Sequence, residues 1–129
     1  MTTEAYLDAL MSLPGMVTAQ VSRNGRWAAW TWFRAGPAAN VYAAPTDGSA
    51  APVQLTDTEE NTFLFSWSPD SQGAAVAQDR GGDERYQLFR VTLSDPGHMH
   101  PLTEPDPGYL IRGGDLKLMS HLLVYAANY

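Results

Sequence analysis

The chain has 129 residues, of which 44% are hydrophobic and 17% charged, and its formal net charge is −6 at pH 7. This composition is that of a globular domain, and the negative charge argues against a nucleic-acid-binding surface. No run approaches the roughly 20 apolar residues of a membrane-spanning helix, and the N-terminus lacks the positive charge of a secretory signal. The chain has no cysteine for a disulfide framework, and we expect a cytoplasmic protein.

A short amphipathic helix is predicted at the N-terminus, over residues 3–12. Thr2 or Thr3 can cap this helix, and Pro14 stops it. Because an isolated helix of this length is marginal in water, its apolar face is expected to dock on another surface. Residues 1–15 therefore form a separate N-terminal unit.

The rest of the chain repeats itself. VSRNGRWAAW aligns with WSPDSQGAAV at an offset of 46 residues. This alignment matches Ser22 with Ser68, and it also matches Asn24 with Asp70. VYAAPTDGSAAPVQLTD aligns with LFRVTLSDPGHMHPLTE at an offset of 47 residues, and a third copy begins at Tyr109.

A period of this length with four short strands is typical of β-propeller blades, which pack against neighbours in a ring because one sheet cannot cover both its faces. We predict strands at 16–20, 27–33, 39–44 and 51–55 in the first blade, at 62–67, 74–79, 85–93 and 99–103 in the second, and at 109–113 and 121–128 in the third. The predicted fold class is all-β, a partial β-propeller of about two and a half four-stranded blades over residues 16–129, preceded by the helix. Since propellers have about 4–8 blades, we expect a piece of a longer protein. A complete small β-domain is the alternative.

Two turns of the second blade resemble those of known propellers. Ser68-Pro69-Asp70 follows an apolar strand and resembles the turn of the TolB-like propeller repeat. DRGGDERYQLFRV, with the turn glycines Gly81 and Gly82, resembles the second blade of the prolyl-oligopeptidase family of serine peptidases, especially its acylaminoacyl-peptidase-like branch. GGDL and LVYAAN resemble the next blade of that branch. The first turn, SRNG, lacks proline and the third reads LKLMSH, so spacing and flanking strands alone identify those blades.

This resemblance implies a C-terminal α/β-hydrolase domain in the same protein and a short peptide as substrate. Leu7, Leu10 and Met11 of the N-terminal helix would dock on that domain. The propeller would gate access to an enclosed active site, admitting short peptides and excluding folded proteins. No serine of the chain lies in a G-x-S-x-G elbow, so we assign no catalytic residue to it and expect no cofactor.

The turn between the second and third strands of the second blade is strongly charged. Its charged residues are Asp79, Arg80, Asp83, Glu84 and Arg85. The simpler interpretation is an exposed hairpin, whose ion pairs contribute at most about 1 kcal/mol each. The resemblance implies instead that this turn faces the substrate, with Glu84, between Asp83 and Arg85, binding a substrate amine or fixing an arginine of the hydrolase domain. Three carboxylates of the preceding loop would attract a cationic substrate end: Asp57, Glu59 and Glu60.

His98 and His100 can place two imidazoles on one side of a strand, as a metal-binding pair would. No third ligand is evident from the sequence, so we assign no metal site and interpret the segment as an exposed blade edge. His121 has no evident chemical role.

The four tryptophans allow two interpretations. Trp30 and Trp32 share one strand face while Trp27 lies opposite, and an aromatic platform of this kind could bind a sugar. Packing between blades is the favoured interpretation for these residues and for Trp67, because large aromatic side chains supply much of the area that facing sheets bury.

Two functions other than a peptidase remain open for a TolB-like propeller. One is a protein-binding module with no enzyme attached, and the other is a lyase or lactonase with its site in the central channel. The lyase or lactonase would need histidines or metal ligands lining that channel. We also expect an exposed edge at residues 121–129 that pairs with another chain, giving an oligomer through strand edges. No nucleic-acid or membrane partner is expected.

Overall fold

The computed structural model describes residues 2–11, 15–33, 38–105, 110–118 and 123–128. The elements are α1 (Thr3–Met11), β1 (Gly15–Val21), β2 (Trp27–Phe33), β3 (Asn40–Pro45), β4 (Val53–Gln54), β5 (Thr62–Trp67), β6 (Gly73–Gln78), β7 (Gln87–Thr92), β8 (Asp95–Pro101), β9 (Leu110–Leu118) and β10 (Leu123–Asn128). The prediction of a mostly β chain behind one short helix is thereby confirmed. Within the described residues, no helix has the length and apolar character needed to cross a membrane.

The N-terminal helix begins at the predicted cap. The backbone N–H of Ala5 donates to the Thr2 hydroxyl over 3.1 Å, which satisfies one of the N–H groups that have no partner inside the helix. Glu4 lies in the first turn, where its charge suits the positive end of the helix dipole. The side chain of Leu7 is 51% exposed, so it has not found a covering surface within the described chain.

The strands form three antiparallel sheets in which each strand pairs with its neighbour in sequence. The first sheet has the order β1-β2-β3-β4, the second β5-β6-β7-β8, and the third pairs β9 with β10. The predicted grouping of strands into two sheets of four is confirmed. β4 spans only Val53–Gln54, and β9 continues to Leu118, beyond the predicted 109–113.

One error in the predicted strands concerns β8, which begins at Asp95 rather than at residue 99. Residues 94–98 fall between two predicted strands, but the hairpin closes earlier, where Asp95 already pairs with Thr92. Pro96 is tolerated because β8 is an edge strand and one side of its backbone needs no donor. Gly97 has φ +89, and its N–H donates to the carbonyl of Leu55 at 3.0 Å.

The matched turns of the repeat have the same hydrogen bonds. In the first copy the Ser22 hydroxyl donates to Asn24 Oδ1 at 2.8 Å and accepts from the N–H of Trp27 at 3.0 Å. In the second copy the Ser68 hydroxyl donates to Asp70 Oδ1 at 2.5 Å and accepts from the N–H of Gly73 at 3.1 Å. The sequence offset of 46 residues is therefore also a structural repeat.

A second bond recurs at the other end of the two sheets. The N–H of Val41 donates to the Thr56 hydroxyl at 2.9 Å, and the N–H of Leu88 donates to the Thr103 hydroxyl at 2.9 Å. Each threonine thus holds the chain leaving the fourth strand against the start of the third. The two bonds are 47 residues apart, as the second alignment requires.

The main core lies between the first and second sheets. Its buried residues are Ala29, Val41, Ala43, Leu55, Leu64, Trp67, Ala74, Val76 and Val91. Leu64 is fully buried, which contributes about 1.5–3 kcal/mol relative to an exposed leucine. Its N–H donates to the Thr31 hydroxyl at 2.9 Å, so a hydrogen bond also joins the two sheets.

The second sheet is covered on both faces. A second buried cluster on its far side contains Ala75, Ala77, Leu88 and Ile111, the last from β9. Strand β6 is therefore buried along nearly its whole length, which explains why GAAVAQ reads as a continuous run of small apolar residues rather than an alternation.

Candidate functional site

The connections β4–β5 and β6–β7 meet with the start of β3 at one end of the two sheets, which we name the acidic end. The N–H of Thr62 donates to the carbonyl of Ala39 at 2.9 Å, and the N–H of Ala39 donates to Asn61 Oδ1 at 2.9 Å. The N–H of Asp79 approaches the carbonyl of Asn61 at 3.4 Å. These bonds place the β4–β5 and β6–β7 connections beside the start of β3.

Carboxylates outnumber cations at the acidic end among the described residues. The carboxylates are Asp57, Glu59, Glu60, Asp79, Asp83, Glu84 and Glu104, against the guanidinium groups of Arg80 and Arg85. A cluster of one sign raises the local concentration of oppositely charged ligands. The sequence-predicted carboxylates of the two loops are thus brought together in space.

The charged turn between β6 and β7 is built on two glycines with positive φ, as its sequence predicts. Gly81 has φ +58 and Gly82 has φ +76, and the N–H of Asp83 donates to the carbonyl of Arg80 at 3.1 Å. Two consecutive positive φ values are those of a type I′ turn, which glycine adopts without strain.

The carboxylate of Asp83 stabilises the turn through hydrogen bonds to its backbone. Its Oδ1 accepts from the N–H of Arg85 at 2.9 Å and from the N–H of Arg80 at 3.3 Å. The N–H of Arg85 is the largest cause that lowers the pKa of Asp83 below its usual value, with smaller contributions from the N–H of Arg80 and the two guanidinium charges. This carboxylate therefore fixes the loop that carries its neighbour.

Glu84 is exposed and has φ +58, a left-handed conformation that an L-residue other than glycine adopts at a cost of about 1–3 kcal/mol. Its carboxylate makes no hydrogen bond to another described residue. The hydrogen bond from the N–H of Arg85 to Asp83 Oδ1 spans Glu84 and holds it in this conformation. Strain held in place by neighbouring bonds is common at functional sites.

Glu60 has a structural role that the sequence does not reveal. Its Oε2 accepts from the N–H of Gly81 at 2.7 Å, so the β4–β5 connection supports the turn of the following hairpin. Glu60, which the sequence suggests only as a source of negative potential, therefore also positions the charged turn.

Asp79 lies deeper than its sequence context suggests, with only 4% of its surface exposed. One carboxylate oxygen is buried without a hydrogen-bond partner among the described residues. Tyr86 is nearby: burial raises its pKa above 10.0, followed by the negative charges of Asp79, Glu84 and Asp83. A buried carboxylate is costly unless it is paired, so Asp79 is an energetically unfavourable group at the acidic end.

The other predicted turn, Ser68-Pro69-Asp70, lies at the opposite end of the second sheet. Asp70 accepts from the N–H of Gln72 at 3.0 Å in addition to the Ser68 hydroxyl. The hydroxyl of Ser71 accepts from the N–H of Asn24 at 3.0 Å and so ties this turn to its copy in the first sheet. These residues stabilise the fold and do not contact the acidic end.

The tryptophans divide between the interface of the two sheets and the outer face of the first sheet. Trp27 packs against the main core, and Trp67 is part of it, with its indole N–H donating to the carbonyl of Gln20 at 3.0 Å. Trp30 and Trp32 lie on the face turned away from the second sheet and pack with Tyr42 at ring-centroid distances of 6.4 and 5.2 Å. The two groups are packed, but only the first lies between sheets.

The structure places a carboxylate beside the two histidines, which the sequence does not predict. Asp95 Oδ2 lies 3.1 Å from Nδ1 of His98, and the rings of His98 and His100 are stacked 4.1 Å apart. All three side chains are exposed on the edge strand β8. The assignment of no metal site stays a prediction, and Asp95 lies outside the strand predicted at 99–103. His121 lies outside the described residues.

The chain shows a distant similarity to a peptidase. It is 32% identical over 87 residues to dipeptidyl aminopeptidase BIII of Pseudoxanthomonas mexicana, and the alignment covers 67% of this chain and 12% of that protein. No family model matches the chain. The chain thus spans about an eighth of the length of this relative, and the similarity indicates a relationship to peptidases.

Proposed function

We propose that this chain is the N-terminal propeller portion of a serine peptidase of the acylaminoacyl-peptidase or oligopeptidase type, which hydrolyses short peptides. In this proposal the chain is non-catalytic and controls which substrates reach an active site on a C-terminal α/β-hydrolase domain. The observation that carries the proposal is the 32% identity over 87 residues to a dipeptidyl aminopeptidase. It agrees with the resemblance of the DRGGDE turn to this peptidase family.

The repeated sheets support the propeller part of the proposal. The two four-stranded sheets pack face to face and share matched hydrogen bonds, as successive blades would. The outer face and edge of the first sheet expose Met16, Val17, Val21 and Phe33, with exposures of 36–62%. The last blade of a closed ring would cover these apolar side chains.

The helix supports the proposed domain arrangement. Leu7 is 51% exposed on a helix that is too short to be stable by itself in water. A hydrolase domain that covered Leu7 would explain an apolar side chain at this position.

Glu84 is the residue that we propose to meet the substrate. Its exposed carboxylate is held on a strained, hydrogen-bonded turn, and the surrounding acidic end favours a positively charged group. The free amino terminus of a short peptide has this charge. A hydrogen bond between two charged groups contributes about 1.5–3 kcal/mol, and the low end applies because Glu84 is exposed.

The test uses the full-length protein and a pair of peptide series, one with a free amino terminus and one N-acylated. We expect Glu84→Gln to lower kcat/KM about tenfold for the free peptides, since about 1.4 kcal/mol corresponds to a factor of ten, and to leave the acylated series unchanged. Asp47→Asn is the matched control, because Asp47 is an exposed turn carboxylate at the opposite end of the first sheet. If Glu84→Gln left kcat/KM for the free peptides unchanged, or lowered it by the same factor in both series, this residue would be removed from the proposal.

A further inference from the structure

A cluster of metal-ligating side chains lies on the edge of the second sheet, away from the acidic end. The ligand atoms of Asp95, His98 and His100 all lie within 4.8 Å of one another. All three side chains are exposed, so an ion from solution can reach them without any opening of the fold. Nothing in the proposed peptidase role uses these residues.

The backbone explains why three residues so close in sequence converge. His98 and His100 are two positions apart on β8, and alternation along a strand puts both rings on one face. Asp95 is three residues before His98, which would leave it on the opposite face of a regular strand. Gly97, with φ +89, interrupts the regular strand and lets the carboxylate reach the same face.

We infer that Asp95, His98 and His100 bind one divalent transition-metal ion of the zinc type, with the remaining coordination position open to water. Zinc takes three protein ligands of this kind at about 2.0–2.2 Å, which places neighbouring ligand atoms of a tetrahedron about 3.3 Å apart. The 3.1 Å between Asp95 Oδ2 and His98 Nδ1 already meets this spacing. The stacked ring of His100 needs only a side-chain rotation on an exposed surface.

The ligand set also determines which ions are excluded. Two imidazoles and one carboxylate favour zinc, copper or nickel, whereas magnesium and calcium prefer oxygen ligands. Among the first-row ions, affinity is expected to rise towards copper, following the general order for nitrogen and oxygen sites.

One cation lies close to the proposed site. Arg90 on β7 is directly opposite His100 in the strand register, so their Cβ atoms are neighbours. Its guanidinium Nη2 is 3.7 Å from Asp70 Oδ2, and this ion pair orients the positive charge of Arg90 towards the turn between β5 and β6. We expect Arg90 to weaken metal binding by repulsion, so that Arg90→Gln binds the ion more tightly than the natural chain.

The test is a calorimetric titration of the full-length protein, purified without a histidine tag, with Zn²⁺ in a non-chelating buffer. We expect one site per chain that Mg²⁺ does not compete for. His98→Gln and His100→Gln should each lower the affinity about tenfold or more, and Asp95→Asn should also weaken it. Asp47→Asn is the control and should leave the affinity unchanged, because Asp47 is not part of the cluster.

Cobalt substitution gives a second readout that does not depend on heat. Co²⁺ bound to a tetrahedral site of this kind produces a visible absorption band, which should be lost in the double variant His98→Gln/His100→Gln. Circular dichroism checks that the variants stay folded, which is expected because both rings are exposed. No zinc binding up to millimolar concentrations would overturn the inference, as would binding that persists unchanged in both single histidine variants. Neither result bears on the peptidase proposal, since that proposal requires no metal.

Discussion

The turn that contains Asp70 can be used to test whether the hydrogen bonds shared by the two copies of the repeat stabilise the fold. Asp70 and Asn24 occupy matched positions, and each side chain accepts a hydrogen bond from a serine hydroxyl through its Oδ1. If the geometry of this acceptor holds the turn, then Asp70→Asn should preserve it. Asp70→Ala should not, because alanine removes the acceptor altogether.

The magnitude follows from the bonds lost. Alanine at position 70 removes the acceptor of the Ser68 hydroxyl at 2.5 Å and of the N–H of Gln72 at 3.0 Å. Each bond contributes about 0.5–1.5 kcal/mol net, and the partial exposure of the turn favours the low end, so we expect a loss of about 1–2 kcal/mol. Asp70→Asn should lose less than half of that, because it loses only the charge and the exposed ion pair with Arg90, which is worth about 0–1 kcal/mol.

The assay is urea unfolding at neutral pH and in acid. The pKa of Asp70 is lowered from 3.8, first by the Ser68 hydroxyl, then by the N–H of Gln72 and, more weakly, by Arg90. A carboxylate with a lowered folded-state pKa adds stability above 3.8 that is lost as the pH falls through the folded-state pKa. The natural chain should therefore exceed Asp70→Asn in stability at neutral pH and lose that advantage in stronger acid. Equal losses for Asp70→Asn and Asp70→Ala would refute the argument from geometry.

Three further substitutions test packing. Gly73→Ala should lower the free energy of unfolding by about 1–3 kcal/mol in a urea titration, because an added Cβ would lie 2.3 Å from the carbonyl oxygen of Val91. Gly15→Ala is the control and should be nearly neutral, because its Cβ would meet only a side-chain atom of Phe33 at 3.8 Å. Leu64→Ala should lower the free energy of unfolding by about 2–5 kcal/mol, and a change below about 1 kcal/mol would contradict the position of the main core. Leu7→Ala should change the unfolding of this chain by less than about 0.5 kcal/mol but should destabilise the full-length protein in thermal unfolding, and equal small effects in both would contradict the proposed docking of the helix.

The repeat could be predicted from sequence because it depends on local signals. Serine, asparagine and aspartate favour turns through local side-chain hydrogen bonds, so the sequence alone matches Ser22 with Ser68. The small residues of β6 likewise indicate a strand that is buried on both faces.

The interactions that the sequence did not predict depend on positions distant in the chain or on one unusual backbone angle. The bond from Gly81 to Glu60 joins two connections 21 residues apart, and no local pattern indicates it. The burial of Asp79 depends on the same neighbouring connections. Asp95 joins the histidines only because Gly97 takes φ +89 within an edge strand, where Asp-Pro-Gly would ordinarily indicate a turn.

The central claim, that this chain belongs to a serine peptidase but does not carry its catalytic serine, is tested most directly by active-site labelling. The full-length protein is treated with a fluorophosphonate, which reacts with activated serines, and the modified residue is located by mass spectrometry. We expect one labelled serine, outside residues 1–129, and loss of short-peptide hydrolysis in proportion to labelling. A protein that remains unlabelled, or a label on a serine within this chain, would contradict the claim.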